Sequence, residues 1–157
     1  MKKPKAKDLI LVGVQFILLV LYAFPFQIMK LTKIGSISLI GFTLTIIGVL
    51  VLLISMVQLN KNLTPFPTPL DDGSLIETGL YKHIRHPIYT GILMLTFGFG
   101  LFQASFWKIF ISLVLWALFY IKSTYEERLL LAKFPTYESY ALKTSRFFPI
   151  PFIKNRK

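Results

Sequence analysis

Four long apolar runs constrain this chain more than any other feature. They cover residues 9–29, 34–59, 87–104 and 106–121, and nearly all of the charged residues lie between or outside them. A helix of about 20 apolar residues, at about 1.5 Å of rise per residue, crosses the hydrocarbon core of a bilayer. We therefore predict an all-α, polytopic membrane protein with about four transmembrane helices, which forms a single domain embedded in lipid.

The composition excludes several other classes of protein. The net charge of +11 would fit a nucleic-acid-binding domain, but the Lys and Arg residues flank apolar runs and form no basic face of a soluble domain. We therefore expect no nucleic-acid partner. The chain has no Cys, which removes disulfides, thiolate catalysis and Cys-based metal sites. We expect no metal ion.

The distribution of basic residues predicts the orientation in the membrane. Four Lys residues precede the first run, three basic residues lie in the long segment 60–86, and eight follow the fourth run. Three more basic residues, Lys30, Lys33 and Lys108, lie at the opposite ends of the apolar runs. The positive-inside rule then places both termini and segment 60–86 in the cytoplasm. The first run is about twice as long as the apolar core of a signal peptide, so we expect it to be retained as a helix.

The connecting segments differ in character. Segment 60–86 contains the alternating prolines Pro65, Pro67 and Pro69, which favour extended backbone, so we predict a cytosolic loop. The connector between the last two runs is very short, so these runs form an antiparallel helical hairpin. A helical pattern continues beyond residue 121, so segment 122–157 is expected to form a cytosolic helix extension and a tail.

The densest polar cluster lies at the start of the third run. Pro87 suits the first turn of a helix, which places Arg85 and His86 at the helix entrance, where free N–H groups favour an anion. Tyr89 and Gly91 lie within the first turns. Anchoring at the membrane interface is the alternative reading of the polar residues, and helix packing is the alternative for the glycine.

Two further clusters follow the fourth run. Glu126 and Glu127 occupy adjacent helix positions about 100° apart, so one of them faces inward more easily than the other. A solvated, ion-paired face is the alternative reading. Tyr137 and Tyr140 lie in the tail, which could instead rest on the membrane as an amphipathic segment. Together the clusters predict a polar pocket at the cytosolic face, under the proline-rich loop.

These residues also resemble a known family. Gly79-Leu80-Tyr81, Arg85-His86-Pro87, Tyr89 and Gly91 are similar to the G-x-Y-x-x-x-R-H-P-x-Y-x-G pattern of the isoprenylcysteine carboxyl methyltransferase family. The helical hairpin, the Glu-Glu pair and the two tail tyrosines follow in the same order. The resemblance covers residues 75–152, about half of the chain. Phospholipid methyltransferases and some sterol reductases look similar here, so the resemblance indicates the cofactor class better than the substrate.

The resemblance implies a membrane-embedded methyltransferase that binds S-adenosylmethionine in a cytosolic pocket between the last two helices and the tail. The residues it assigns to the cofactor are Tyr81, Arg85, His86, Pro87, Tyr89, Gly91, Glu126, Glu127, Tyr137 and Tyr140. The expected acceptor is lipophilic or a small amphiphile, methylated on O, N or S, and only an amine would need a base, for which His86 is a candidate. The rival hypothesis is a non-enzymatic four-helix membrane protein that binds lipid or a partner. The oligomeric state stays open.

Overall fold

The computed structural model describes residues 5–26, 32 and 34–149, and it contains five α-helices in these ranges. They are α1 (Ala6–Ala23), α2 (Gly35–Leu59), α3 (Pro87–Phe102), α4 (Phe106–Lys133) and α5 (Tyr137–Lys143). Two short 3₁₀ helices, Asn60–Asn62 and Gly79–Lys82, lie in the loop between α2 and α3. The all-α prediction is confirmed.

Three helices have the length and composition of membrane spans. They are α1, α2 with the turn that follows it, and α4, which is 28 residues long. α3 has 16 residues, which corresponds to about 24 Å and is shorter than the hydrocarbon core of about 30 Å. The protein is therefore a multi-pass membrane protein, and a complete fourth crossing by α3 stays a prediction.

The first helix starts and ends earlier than the sequence indicated. α1 begins at Ala6, where Asp8 Oδ2 accepts a hydrogen bond of 3.2 Å from the backbone N–H of Lys5. It ends at Ala23 because Phe24 precedes Pro25 and takes an extended conformation, as a following proline requires. The helix thus ends before the predicted span 9–29 does. Residues 27–29 lie outside the described residues.

The long helices are arranged in the order α1, α4, α3, α2. α2 packs along α3, α3 against α4, and α4 against α1. Glycines bring the backbones of α2 and α3 close together: a Cβ on Gly48 would lie 2.4 Å from Leu95 N, and one on Gly91 would lie 2.7 Å from Leu52 N. α1 and α2 therefore stand at the two ends of the row, on either side of the α3–α4 pair.

α4 continues without a break past residue 121. Its first turn is capped by Ser105, whose Oγ accepts a hydrogen bond from the backbone N–H of Lys108, and its last residue is Lys133. Leu115 and Phe119 are fully buried in the apolar core formed with α3 and α1. The final turns of α4 reach the loop and α5, where the polar side chains gather.

Candidate functional site

The chain that follows α5 is hydrogen-bonded to the start of α3. Ser145 forms a parallel bridge with Ile84: its carbonyl accepts from Arg85 N–H at 2.8 Å, and its own N–H donates to His83 O at 3.1 Å. One turn into α3, Thr90 Oγ1 donates to Phe147 O at 2.5 Å. The segment after α5 therefore lies as a strap across the entrance of α3, and it is part of the folded structure.

Glu127 is the centre of a buried ionic cluster under this strap. Its Oε1 accepts from Arg85 Nε at 2.8 Å, and its Oε2 accepts from Arg146 Nη2 at 2.6 Å. His86 Nε2 lies 3.2 Å from the same Oε1. The Glu127 side chain is 12% exposed. We call Arg85, His86, Glu127 and Arg146 the clamp, because these four side chains tie α3, α4 and the strap together.

Arg85 is also held by backbone carbonyl groups. Its Nη1 donates to Ala141 O at 2.9 Å and to Thr144 O. The sequence predicted that Arg85, at the entrance of α3, would help to bind an anionic group of the cofactor. In the structure, most N–H donors of the Arg85 guanidinium bind protein groups. A ligand could reach the part of the guanidinium that lines the two cavities described below.

Glu126 has a different main partner from its neighbour. Its Oε2 accepts a hydrogen bond of 2.7 Å from Tyr89 Oη, and its side chain is 26% exposed. The Tyr89 ring stacks between His86, at 5.3 Å, and Phe119, at 4.7 Å between centroids. Tyr89 therefore fixes the position of the Glu126 carboxylate, while the carboxylate keeps room to accept further hydrogen bonds.

Two cavities meet at this carboxylate. The first, the loop cavity, has a volume of about 110 Å³ and lies between the proline-rich loop, the end of α4 and α5. The second, the interhelical cavity, has a volume of about 440 Å³ and lies between α1 and α2, against α3 and α4. Both are lined by Tyr81, Arg85 and Glu126, which we call the shared wall. Sites for small ligands usually measure about 300–1,000 Å³, so the interhelical cavity is large enough for one, whereas the loop cavity is smaller than this range.

The two tyrosines of α5 belong to the loop cavity. Tyr140 Oη donates to Tyr81 O at 2.6 Å. The Tyr137 side chain is 1% exposed, and its hydroxyl has no hydrogen-bond partner among the described residues. Burial raises the pKa of both hydroxyls well above the usual value for tyrosine, so both stay neutral donors. An unpaired buried hydroxyl costs free energy, so a ligand atom in the loop cavity is a natural partner for Tyr137.

The structure brings most of the ten predicted site residues together, in different roles. Tyr137 and Tyr140 line the loop cavity, His86 and Tyr89 line the interhelical cavity, and the shared wall supplies the other three lining residues. Pro87, Gly91 and Glu127 line neither of these two cavities. Pro87 starts α3, Gly91 packs on α2, and Glu127 holds the clamp.

The model of the phospholipid methyltransferase family matches residues 37–136, which is well over half of the chain. The chain belongs to this family. The resemblance to membrane methyltransferases that the sequence motifs indicated is thus confirmed.

One further protein and one solved structure are similar to this chain. Protein-S-isoprenylcysteine O-methyltransferase of Schizosaccharomyces pombe is 33% identical over 81 residues, which make up 50% of this chain and 34% of that protein. The solved structure of the eukaryotic intramembrane Ras methyltransferase ICMT (isoprenylcysteine carboxyl methyltransferase) matches 99% of this chain and 56% of its own, with a TM-score of 0.69 and 23% identity. The family member shares the ICMT-like membrane fold and spans about a third to a half of the length of these relatives.

The side chains that line the interhelical cavity include a hydrogen-bonded polar pair that was not predicted as part of the site. Lys122 on α4 donates to Gln15 Oε1 on α1 at 2.6 Å, and both line the cavity. These residues are 107 positions apart in the chain, so no local pattern pairs them. The available signal was the polar character of Gln15 within an apolar span, because polar residues inside a membrane usually serve a function.

Proposed function

We propose that this protein is an S-adenosylmethionine-dependent methyltransferase that acts on a lipophilic or small amphiphilic acceptor. The observation that carries the proposal is the meeting of two cavities at one shared wall. The loop cavity lies outside the apolar spans, and its lining is suited to the polar groups of a water-soluble cofactor. The interhelical cavity lies between helices and is suited to an acceptor that arrives from the bilayer. Membership of the family supports the reaction type.

The residues of the loop cavity fit the cofactor chemically. S-adenosylmethionine carries a carboxylate, an ammonium, ribose hydroxyls and a sulfonium. Glu126 can accept hydrogen bonds from the hydroxyls or the ammonium, and the free edge of Arg85 can meet the carboxylate. The unpaired hydroxyl of Tyr137 offers a further donor, and the rings of Tyr81 and Tyr140 can hold a cation.

The work of the protein in this reaction is positioning and the exclusion of water. When bound, S-adenosylmethionine would supply a methyl group on a positively charged sulfur, which a lone pair of the acceptor could displace to leave S-adenosylhomocysteine. Tyr89 holds Glu126 at the junction of the two cavities, and the apolar helices around the interhelical cavity exclude water from the acceptor. Close approach without solvent accelerates a direct displacement.

A base is needed only for one class of acceptor. A carboxylate or a thiolate already carries a free lone pair, whereas an ammonium must first lose a proton. His86 lines the interhelical cavity, with Nδ1 3.8 Å from Glu126 Oε2 and Nε2 on Glu127. It is therefore the group we propose for removing a proton from an amine acceptor, with Glu126 and Glu127 stabilising the protonated ring.

The orientation forms part of the proposal. Basic residues are concentrated before residue 9, in the loop between α2 and α3, and after residue 121. This distribution favours a cytoplasmic location for both termini and for the loop cavity. This side of the membrane is also where S-adenosylmethionine is supplied in a cell.

Binding of S-adenosylhomocysteine, the product form of the cofactor, tests the proposal against a non-enzymatic scaffold. Isothermal calorimetry of the purified protein in several detergents should give saturable binding of one molecule. Glu126→Gln should weaken this binding, whereas Glu138→Gln, on the exposed face of α5, should leave it unchanged. The absence of binding in every detergent would contradict the proposal and favour a lipid-binding or partner-binding role.

A further inference from the structure

The strap crosses α4 on a face that the helix turns outward. Leu113, Trp116 and Tyr120 form an exposed stripe along this face, and Thr124 continues it by one turn. Arg146 of the strap contacts the end of the stripe: its Nη1 donates to Thr124 Oγ1 at 2.9 Å, and its guanidinium carbon lies 4.9 Å from the centre of the Tyr120 ring. Arg146 lines neither the loop cavity nor the interhelical cavity, so this contact lies outside the candidate site.

The position of the contact along α4 matches the edge of the hydrocarbon core. α4 begins at Phe106, and Thr124 follows at about 27 Å along the helix axis, whereas the hydrocarbon core is about 30 Å thick. The ring of Tyr120 is 56% exposed, and that of Phe148, two residues after Arg146, is 51% exposed. Exposed aromatic rings are typical of the level of the lipid head groups. The strap therefore lies where the apolar interior of the membrane meets its charged surface.

Two arginines at this level have N–H donors to spare. Arg146 uses one N–H on Thr124 and one on Glu127 Oε2, at 2.6 Å, out of the five that a guanidinium carries. Its side chain is 24% exposed, so the outer edge of the guanidinium is accessible. Arg128 follows Thr124 by one further turn of α4, about 6 Å, and is exposed. It forms no ion pair with any residue that the structure describes.

We propose that Arg146 and Arg128 bind the phosphate of an anionic phospholipid in the leaflet on the side where α3 begins, and that this lipid holds the strap closed. The planar fork of an arginine matches the geometry of a phosphate. The exposed rings of Tyr120 and Phe148 suit the glycerol and the upper acyl chain of the same molecule, which favours a lipid over a free anion. This lipid is an effector and not the methyl acceptor, because it lies outside both cavities, so its binding does not depend on the proposed function.

The lipid acts on the fold through the backbone of the strap. Arg146 O accepts from His86 N–H at 3.1 Å, and Ser145 O accepts from Arg85 N–H at 2.8 Å. A phosphate at the outer edge of Arg146 restrains the guanidinium, which Glu127 already holds from the inner side. Separation of the strap from the start of α3 then becomes rarer, and the amides of Arg85 and His86 exchange more slowly with solvent.

Retention of chain-matched lipids tests the binding site. The purified protein in a neutral detergent is given equal amounts of dioleoyl phosphatidylglycerol, dioleoyl phosphatidylcholine and dioleoylglycerol, and native mass spectrometry measures the occupancy of each. The wild type should retain one phosphatidylglycerol, about tenfold over dioleoylglycerol and about fivefold over phosphatidylcholine, whose ammonium offsets the phosphate. Arg128→Gln should remove most of this preference, and Arg128→Lys should keep part of it. An unchanged preference in Arg128→Gln would overturn the proposal.

Two control variants separate this site from general attraction and from the acceptor site. Lys61→Gln removes the same charge from an exposed position after α2, at the far end of the row of helices, and should keep the preference. Met56→Trp reduces the space in the interhelical cavity and should keep it as well. An equal loss in Lys61→Gln would indicate attraction by net charge alone. A loss in Met56→Trp without one in Arg128→Gln would place the lipid in the interhelical cavity, and either result contradicts the proposal.

Hydrogen exchange in lipid nanodiscs tests the effect on the strap. Peptides that cover residues 83–90 and 144–148 should exchange about threefold more slowly in phosphatidylglycerol than in phosphatidylcholine, and Arg128→Gln should remove this difference. Equal exchange of the wild type in both lipids would show that the lipid does not hold the strap. Inorganic phosphate added to phosphatidylcholine nanodiscs separates the two sources of phosphate. It should leave the exchange unchanged, and protection equal to that by phosphatidylglycerol would mean that the site takes a free anion instead of a lipid.

Discussion

The clamp and the shared wall each contain one of two adjacent carboxylates on α4, Glu127 and Glu126. They differ in how fully the charge of that carboxylate is satisfied. In the clamp, Glu127 meets two arginines and a histidine at 2.6 to 3.2 Å and is 12% exposed. In the shared wall, Glu126 accepts a hydrogen bond from Tyr89 at 2.7 Å, lies 3.8 Å from His86 Nδ1, and is 26% exposed. Adjacent carboxylates thus serve different purposes: the first holds three segments together, and the second is available to a ligand.

Removal of the clamp carboxylate should have the largest effect. Glu127→Gln leaves the half-buried arginines Arg85 and Arg146 without this counter-charge, so we expect the free energy of unfolding to fall by about 3 kcal/mol. Binding of S-adenosylhomocysteine should be lost together with stability. Thermal unfolding in detergent measures the effect. Glu138→Gln should change the stability by less than about 0.5 kcal/mol, and equal effects of the two variants would mean that the clamp does not stabilise the fold.

The same change one residue earlier should affect binding instead of stability. Glu126→Gln keeps an oxygen for the hydrogen bond from Tyr89 but removes the negative charge from the shared wall. We expect the affinity for S-adenosylhomocysteine to fall roughly tenfold, which corresponds to about 1.4 kcal/mol, with little change in the unfolding midpoint. Calorimetry at several ligand concentrations measures this. An unchanged affinity would place the cofactor away from Glu126.

The two tyrosines of α5 allow a smaller comparison of the same kind. Tyr140→Phe removes the hydrogen bond of 2.6 Å to Tyr81 O and leaves that carbonyl without this partner. The free energy of unfolding should therefore fall by about 1 kcal/mol, as read from denaturant or thermal unfolding. A variant as stable as the wild type would show that α5 is held by other contacts.

Tyr137→Phe should give the smallest change in stability. Its hydroxyl has no partner among the described residues, so its removal should leave the unfolding free energy unchanged or slightly higher. Affinity for S-adenosylhomocysteine should fall by about threefold to tenfold if this hydroxyl meets the cofactor, since a neutral hydrogen bond contributes about 1 kcal/mol. A stability loss equal to that of Tyr140→Phe would assign Tyr137 a packing role only.

Local patterns predicted the helices better than their ends. The apolar runs located the four long helices, but the end of α1 depended on how Pro25 acts on Phe24, which shortens the helix by several residues. The length of α3 shows a similar limit: the helix ends at Phe102, where Gln103 and Ser105 are the only polar residues that separate two apolar runs.

The site was predictable as a set of residues and less so as a set of roles. The family motif selected Arg85, Glu126 and Glu127, but nothing local says that Glu127 turns towards Arg146 while Glu126 turns towards Tyr89. These roles arise from contacts between segments that are distant in sequence, such as the strap on α3. The same holds for Lys122 and Gln15, which pair across two helices.

The strap also sets an order of events during synthesis. Residues 144–147 follow all four long helices in the chain, and they supply Arg146 to the clamp and the carbonyl groups that fix Arg85. Segments made early can enter the bilayer and pack before these residues leave the ribosome. The helices can therefore be inserted while the clamp is still incomplete, and the clamp closes only after this polar segment has emerged on the side where α3 begins.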